Sequence, residues 1–513
     1  MEMVHLAEDK VRIKDFPATF WVSNTMEIFE RMAWYGFFAV SSLYITGKVS
    51  EGGLGFSDED RGVLQAVVTF FLYLFPVVTG GLADRYGFKK MLFSAFVVLV
   101  PAYFFLGQFK TFPTFFIAFM FVALGAAMFK PVIIGTITKV TSDRSASLGF
   151  GIFYMMVNIG GFVGPIVAGV VRALDWKYVF IASAGWIAIN FIFVTLFYKE
   201  PTTESSSANK RSLKKVLTDM VEVLGNGRFF LYFFGLLILL VFGSKFTADG
   251  SLSWADIIYI GVIWSAINFI YDFLIARKLK GKNEWYLQPM KLGDWKFGLF
   301  LLLMSGFWTS FNQIFYTLPL YIRDFTDTSD LWSFLANTMQ SIGLSGYVDS
   351  LRGAMVTPGQ INPEYIININ AGSIIVFQIF ISYLVTRMKP FTTIFWGVLI
   401  TVVSFSILIF GTTGWIVIIG VIVFSFGEMM ASPKSKEYTG RIAPPDRVAL
   451  YMGYFYWCVA LGNLFGGILS GQLYGHFARD LGRPDIMWLI FAIIAAVTAF
   501  LIFLYDRLVI KRN

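Results

Sequence analysis

The stretch Glu27-Ile28-Phe29-Glu30-Arg31-Met32-Ala33-Trp34-Tyr35-Gly36 sets three charges within five residues, inside the first of a long series of apolar runs. On insertion scales each charge in a bilayer costs roughly 2.5–3.5 kcal/mol, so three together need partners and a role. At helical spacing Glu27, Glu30 and Arg31 are i, i+3 and i+4. They therefore share one face, and Glu27 can pair with Arg31 one turn on. A face carrying two carboxylates and a guanidinium cannot point at lipid.

The rest of the chain gives that face its setting. Of 513 residues, 57% are hydrophobic, 18% aromatic and only 14% charged, and the mean hydropathy is +0.67. Apolar runs of about 20 residues, the length a helix needs to cross a bilayer, fall near 18–46, 61–82, 91–109, 113–138, 148–171, 178–198, 229–245, 254–276, 296–320, 364–388, 391–411, 414–432, 448–474 and 484–508. These predict an all-α polytopic membrane protein with fourteen transmembrane helices. The strict alternation of a membrane barrel is absent.

Topology follows from Lys and Arg. With the N-terminus placed in the cytoplasm, 29 of the 41 basic residues fall in cytoplasmic segments, so both termini are expected there. The net charge of +8 then belongs to loops touching anionic headgroups, with no call for nucleic acid. The N-terminus shows no cleavable leader pattern, so the first span is expected to be retained. Cys458 stands alone, which excludes an internal disulfide and argues against a cysteine-based metal site.

A shift of 302 residues superposes Pro131, Phe153, Tyr154, Gly160 and Gly164 on Pro433, Phe455, Tyr456, Gly462 and Gly466. Each set spans a helix end, a basic loop (Asp143-Arg144 or Pro445-Asp446-Arg447) and the next helix. Two copies entering the membrane in the same sense resemble the parallel six-helix halves of major-facilitator transporters. The expected organisation is an N-terminal bundle, 1–198, and a C-terminal bundle, 296–513. Between them, 199–295 holds a two-helix hairpin on polar linkers that contain Ser205-Ser206-Ser207 and Lys278, Lys280, Lys282 and Lys291. An external loop, 321–363, carries the short apolar stretch Leu331-Trp332-Ser333-Phe334-Leu335 and reads as a surface flap or a lid.

Gly81-Leu82-Ala83-Asp84-Arg85-Tyr86-Gly87-Phe88-Lys89-Lys90 is similar to the major-facilitator loop signature, which implies a gating latch at Asp84 and Arg85. Lys130 and Glu428 are isolated charges in apolar runs, a cation in one half and an anion in the other. Such a pair, with the first-span triad, suits a central cavity for a zwitterion. Its carboxylates are candidate proton carriers, since desolvation raises a carboxyl pKa and a neighbouring guanidinium lowers it. The histidines, His5 and His476, lie in the N-terminal tail and at a span end. No Ser/His, His-cluster or phosphate-loop constellation appears, so no cofactor, metal or enzymatic activity is expected.

Taken together, Glu27-x-x-Glu30-Arg31-x-x-x-Tyr35-Gly36, Lys130-Pro131, Phe153-Tyr154-Met155-x-x-Asn158-x-Gly160, Phe307-Trp308, Gln313, Asn362-Pro363 and Glu428-x-x-x-Ser432-Pro433 resemble the proton-coupled oligopeptide transporters of the major facilitator superfamily. The resemblance covers nearly the whole chain. It implies a symporter in the cell (inner) membrane that imports di- and tripeptides with protons by alternating access. Carried over by position, Arg31, Tyr35, Tyr73, Lys130 and Asn158 form the N-half of the substrate pocket, with Trp308, Asn362 and Glu428 on the C-half. Glu27, Glu30, Arg31 and Lys130 carry proton coupling. The chain also departs from the pattern: Met32 and Trp34 stand in the signature, Tyr454 stands where a tryptophan is common, and Phe38 and Asn312 replace an external Arg/acid gate pair. A related carrier for an amino acid derivative, peptide-like drug or nitrate is the alternative. Retention of both Lys130 and Glu428 favours peptide.

Overall fold

The computed structural model describes residues 13–142, 145–201, 226–276, 288–291, 294–353, 355–443 and 448–510. Both basic loops of the internal repeat, the serine run, His5 and Lys278, Lys280 and Lys282 lie outside them.

The described residues are almost wholly helical. The N-terminal half comprises α1 (Ala18–Thr46), α2 (Asp58–Leu74), α3 (Pro76–Tyr86), α4 (Phe88–Gln108), α5 (Phe112–Val140), α6 (Ala146–Arg172) and α7 (Trp176–Ile192). The hairpin is α8 (Gly227–Ala248) and α9 (Trp254–Tyr271). The C-terminal half holds α10 (Trp295–Phe311), α11 (Gln313–Tyr316), α12 (Leu318–Phe325), α13 (Ser329–Ser341), α14 (Ser345–Gly353), α15 (Pro363–Ile367), α16 (Ile369–Val385), α17 (Pro390–Leu408), α18 (Gly414–Ile442), α19 (Val448–Leu473) and α20 (Pro484–Tyr505).

Among the described residues, thirteen helices are long and apolar enough to cross a membrane. At 29 residues α1 reaches about 43 Å at 1.5 Å per residue, which also suffices, but Glu27, Glu30 and Arg31 break its apolar run. Helix breaks account for the extra segments. Pro76 starts α3 one residue after α2 ends, and α10, α11 and α12 are one span interrupted at Asn312 and Thr317. Internal prolines at 101, 131, 165 and 433 are tolerated because neighbouring helices shield the freed carbonyls.

The two halves repeat a packing rule. The α1–α6 contact in the first half and the α10–α19 contact in the second depend on glycines at matching places. A Cβ on Gly160 would lie 2.6 Å from the Ile28 carbonyl oxygen, and one on Gly164 2.6 Å from that of Met32. On Gly462 and Gly466 it would lie 2.9 Å from the Ser305 oxygen and 3.1 Å from that of Thr309. Small residues let backbones approach where lipid offers no hydrophobic drive for association. The halves join along α2 and α19 in the same way, with Gly62 packed on Gly467 and Gly471.

The hairpin is peripheral. The apolar windows of α8 and α9 are only 17% and 11% buried, against 67% for α10 and its extension. Its main apolar seat among the described residues is a cluster in which Phe233, Phe234 and Leu237 meet Phe70, Ala460 and Leu464 of α2 and α19, with Phe230 on Trp457 beside it. The 321–363 loop is narrower than its sequence suggests. Helix α12 carries the chain to Phe325 and α13 and α14 fold the rest, with Trp332, Val348 and Met355 as a local core. Asp327 ties it to the start of α18 through backbone hydrogen bonds with Thr412 and Gly414, both 2.9 Å.

Candidate transport cavity

The first-span triad is buried as an ion cluster. Glu27, Glu30 and Arg31 are 4%, 1% and 4% exposed, so their charges depend on each other for solvation. Arg31 Nε donates to Glu30 Oε2 at 2.6 Å and lies 3.3 Å from Glu27 Oε1, while its second guanidinium nitrogen also contacts Glu30. Glu27 and Arg31 look onto a cavity of about 270 Å³ between the halves, while Glu30 pairs with Arg31 outside its lining.

Each wall of this cavity comes from one half. Glu27, Arg31, Tyr35, Tyr73, Lys130 and Asn158 line one side, and Trp308, Asn370, Glu428 and Lys436 line the other. Arg31 sits over the Tyr35 ring, 5.7 Å from its centroid, and Lys130 over that of Tyr73 at 4.7 Å. Such stacking partly replaces lost hydration for a cation. Tyr73 in turn stacks on Tyr456 across the cavity, centroids 6.2 Å apart. Asn158 donates its amide to the Tyr154 carbonyl at 2.8 Å. On the far wall Glu428 accepts from Asn370 Nδ2 at 2.9 Å. The N-half wall carries the Arg31 guanidinium and the Lys130 ammonium beside the Glu27 carboxylate, and the C-half wall carries the Glu428 carboxylate with Lys436 two turns further along the same helix.

Asn362, assigned to the C-half wall by resemblance, does not reach the cavity. It precedes α15 and accepts from the Val356 backbone at 3.1 Å, buried beneath the 321–363 segment. The proline after it starts the short helix α15, whose last residue, Ile367, does line the cavity. Arg85 is exposed and stacks over Tyr86, centroid 5.5 Å away, and the Asp84 side chain lies outside the described part. Beside this turn Gly87 takes φ +95°, a left-handed backbone that favours glycine. The first amides of α4 are capped by Glu200, at 2.6 Å from Phe88 N and 2.8 Å from Lys89 N. That cap, from the end of the first half, has no motif signal in sequence.

Three further features complete the picture. The helix that carries Glu428 runs on through Lys434-Ser435-Lys436 to Ile442 and buries Lys434 against Glu437, 2.9 Å away. Lys436 lines the cavity. The signal that finds it is the uninterrupted helical register from Glu428, eight residues earlier.

The second feature closes one end of the cavity. Arg61, at the start of the second apolar run, is fully buried and donates to the Tyr316 carbonyl at 3.1 Å and to Gln65 at 3.0 Å. Tyr316 also binds Ser42, Thr69 and Asn463. Nearby, Arg479 pairs with Asp58 at 2.5 Å, and Tyr474 donates to Asp324 at 2.8 Å. The third is Arg172 with Glu364, 2.7 Å apart, joining α6 to α15. All lie at the face where α1 ends and α2 begins. There Phe38 packs on Phe315 and Tyr316, centroids 5.8 and 5.7 Å away, and Asn312 turns its amide back to the Trp308 carbonyl. An apolar contact thus occupies the place of the missing charge pair.

A bipolar cavity between two glycine-packed repeats is the geometry of a carrier, and comparison with known proteins agrees. A family model described as Major Facilitator Superfamily matches residues 25–351 and 333–512. The peptide transporter YePEPT of Yersinia enterocolitica is 24% identical over 87% of this chain and 86% of that protein. Among solved structures, a POT family transporter in complex with thioalcohol conjugated peptide superposes with a TM-score of 0.67 at 19% identity, covering 95% of this chain and 96% of that one. A POT family transporter in complex with 5-aminolevulinic acid gives 0.66 at 18%, covering 97% and 98%. The chain is therefore a membrane transporter, not an enzyme, and belongs to the Major Facilitator Superfamily.

Proposed function

We propose that the protein imports di- and tripeptides across the inner membrane in symport with protons, by alternating access. The observation that carries this reading is the placement of Arg31 and Lys130 on one wall of the cavity and Glu428 on the other. A peptide is a zwitterion, and its carboxylate and ammonium groups need those two signs at a separation that two facing helices supply. The small volume suits a short peptide rather than a longer chain. The similarity to the Yersinia enterocolitica peptide transporter and to a di-/tripeptide transporter of Lactococcus lactis supports the same solute class.

In this reading Arg31 and Lys130 take the peptide carboxylate and Glu428 takes its ammonium. Tyr35, Tyr73, Asn158 and Trp308 shape the pocket around the backbone. Glu27 and Glu30 carry the coupling proton: protonating either one loosens Arg31, which is then free to engage the substrate. Arg31 and Lys130 thereby take part in coupling as well as binding. In this reading the Tyr316 and Asp58–Arg479 contacts close the external face, and Asp84 and Arg85 latch the opposite face in the alternative conformation. Both termini are placed in the cytoplasm.

Uptake of labelled dialanine into proteoliposomes under an inward proton gradient tests the whole scheme, with gradient-driven accumulation as the expected result. Lys130→Ala and Glu428→Gln are each expected to abolish it. Normal uptake by either variant removes the role assigned to that residue, and absence of driven uptake in the unmodified protein removes the function.

A further inference from the structure

Lys436 is a third cation in the cavity, and the zwitterion scheme has no use for it. It projects from α18 two turns beyond Glu428, about 12 Å along the axis at 1.5 Å per residue. Among the described residues it has no carboxylate within 4.0 Å and no side-chain hydrogen bond. Glu428 is instead held by Asn370. Lys436 is within electrostatic reach of Lys130 on the opposite wall and of Glu428 on its own.

The consequence follows from counting groups. Arg31 is already engaged by Glu27 and Glu30. Lys130 and Lys436 then face one cavity from opposite halves, and two ammonium groups out of water repel each other. In a bound neutral dipeptide the carboxylate meets Lys130 and the ammonium takes up Glu428, which leaves Lys436 without a compensating charge. A second carboxylate on the same solute satisfies both and bridges the halves.

We infer that Lys436 is a specificity-determining residue that selects peptides bearing an acidic side chain, whose second carboxylate it binds across the cavity from Lys130. This rests on the peptide reading above and narrows its substrate class. An anion held by one lysine from each half also favours drawing the halves together, so acidic peptides promote occlusion.

The test is competition against labelled dialanine uptake by alanyl-glutamate and by its neutral isostere alanyl-glutamine. In the unmodified protein alanyl-glutamate is expected to inhibit at about fivefold or more lower concentration, the size of a partly desolvated charge pair of roughly 1 kcal/mol. Lys436→Met is expected to bring the ratio of the two inhibition constants to one or invert it, and Lys436→Arg to restore the preference. Equal or weaker inhibition by alanyl-glutamate, with dialanine still taken up, overturns this inference alone. A preference that survives Lys436→Met overturns the assignment to Lys436. Absence of dialanine uptake in the unmodified protein overturns the peptide reading and this inference with it. If Lys436→Met does not fold, the isostere comparison in the unmodified protein and the arginine variant still decide.

Discussion

The contact between α1 and α6 and the contact between α10 and α19 are built alike and end in opposite chemistry. Gly160 presses α6 onto α1 at the level of Arg31, and Gly462 presses α19 onto α10 at the level of Trp308. In each pair the side chain beside the first glycine lines the cavity. One is a guanidinium held by two carboxylates, the other an indole packed against Phe307 and Phe311, centroids 5.3 and 5.0 Å away. The repeat thus fixes where a side chain stands, and the local sequence fixes what it does there. Glycines can carry geometry between copies because their role is backbone approach. Polar groups cannot be duplicated so cheaply, since each buried charge needs its own partner.

The sharpest way to break the comparison is Arg31→Ala. It leaves Glu27 and Glu30 buried without their counter-charge, at a cost of about 3–5 kcal/mol. A large drop in the melting temperature of detergent-purified protein is expected, together with loss of uptake. A melting temperature close to that of the parent protein means that the acidic pair does not need the guanidinium for stability.

Gly160→Ala and Gly462→Ala probe the shared geometry. Each new methyl group meets backbone 2.6–2.9 Å away, and overpacking of this kind costs about 1–3 kcal/mol. Similar losses of melting temperature are expected in both halves. Damage in one half with silence in the other denies that the two contacts are equivalent.

Trp308→Phe is the mildest change. The indole N–H has no hydrogen-bond partner among the described residues at normal geometry, and the substitution keeps an aromatic ring against Phe311. A stability change below about 1.5 kcal/mol is expected, so an altered inhibition constant for a tripeptide with the same melting temperature locates the effect in the pocket. A loss as large as that of Arg31→Ala assigns the indole a structural role that its contacts do not show.

Helix positions were legible because apolar runs of membrane length have one stable outcome in lipid, an internally hydrogen-bonded helix. The span read as 18–46 is α1 to the residue. The tenth apolar run ends at 432, yet its helix runs on through Lys434 and Lys436 to Ile442, where Glu437 pairs with Lys434 and the cavity admits Lys436. The triad, Lys130 and Glu428 were readable as charges with nowhere to go in lipid. Arg61 was not, because at a helix end it is indistinguishable from a solvated cation until Tyr316 arrives from 255 residues away. Asn362 failed for a related reason: a polar residue before a helix caps, packs or binds according to which segment covers it.

The sequence by itself determined that this chain crosses the membrane many times, that its two halves are copies, and that a small set of charges is shielded from lipid. Those conclusions need only local free energies of transfer and a fixed helical period. Tertiary structure alone decided which charges meet. Arg479 closes on Asp58 and Arg172 on Glu364, while Lys436 has no ion pair within 4.0 Å among the described residues. Pairing depends on distances between helices far apart in the chain, and no periodicity within one helix encodes them.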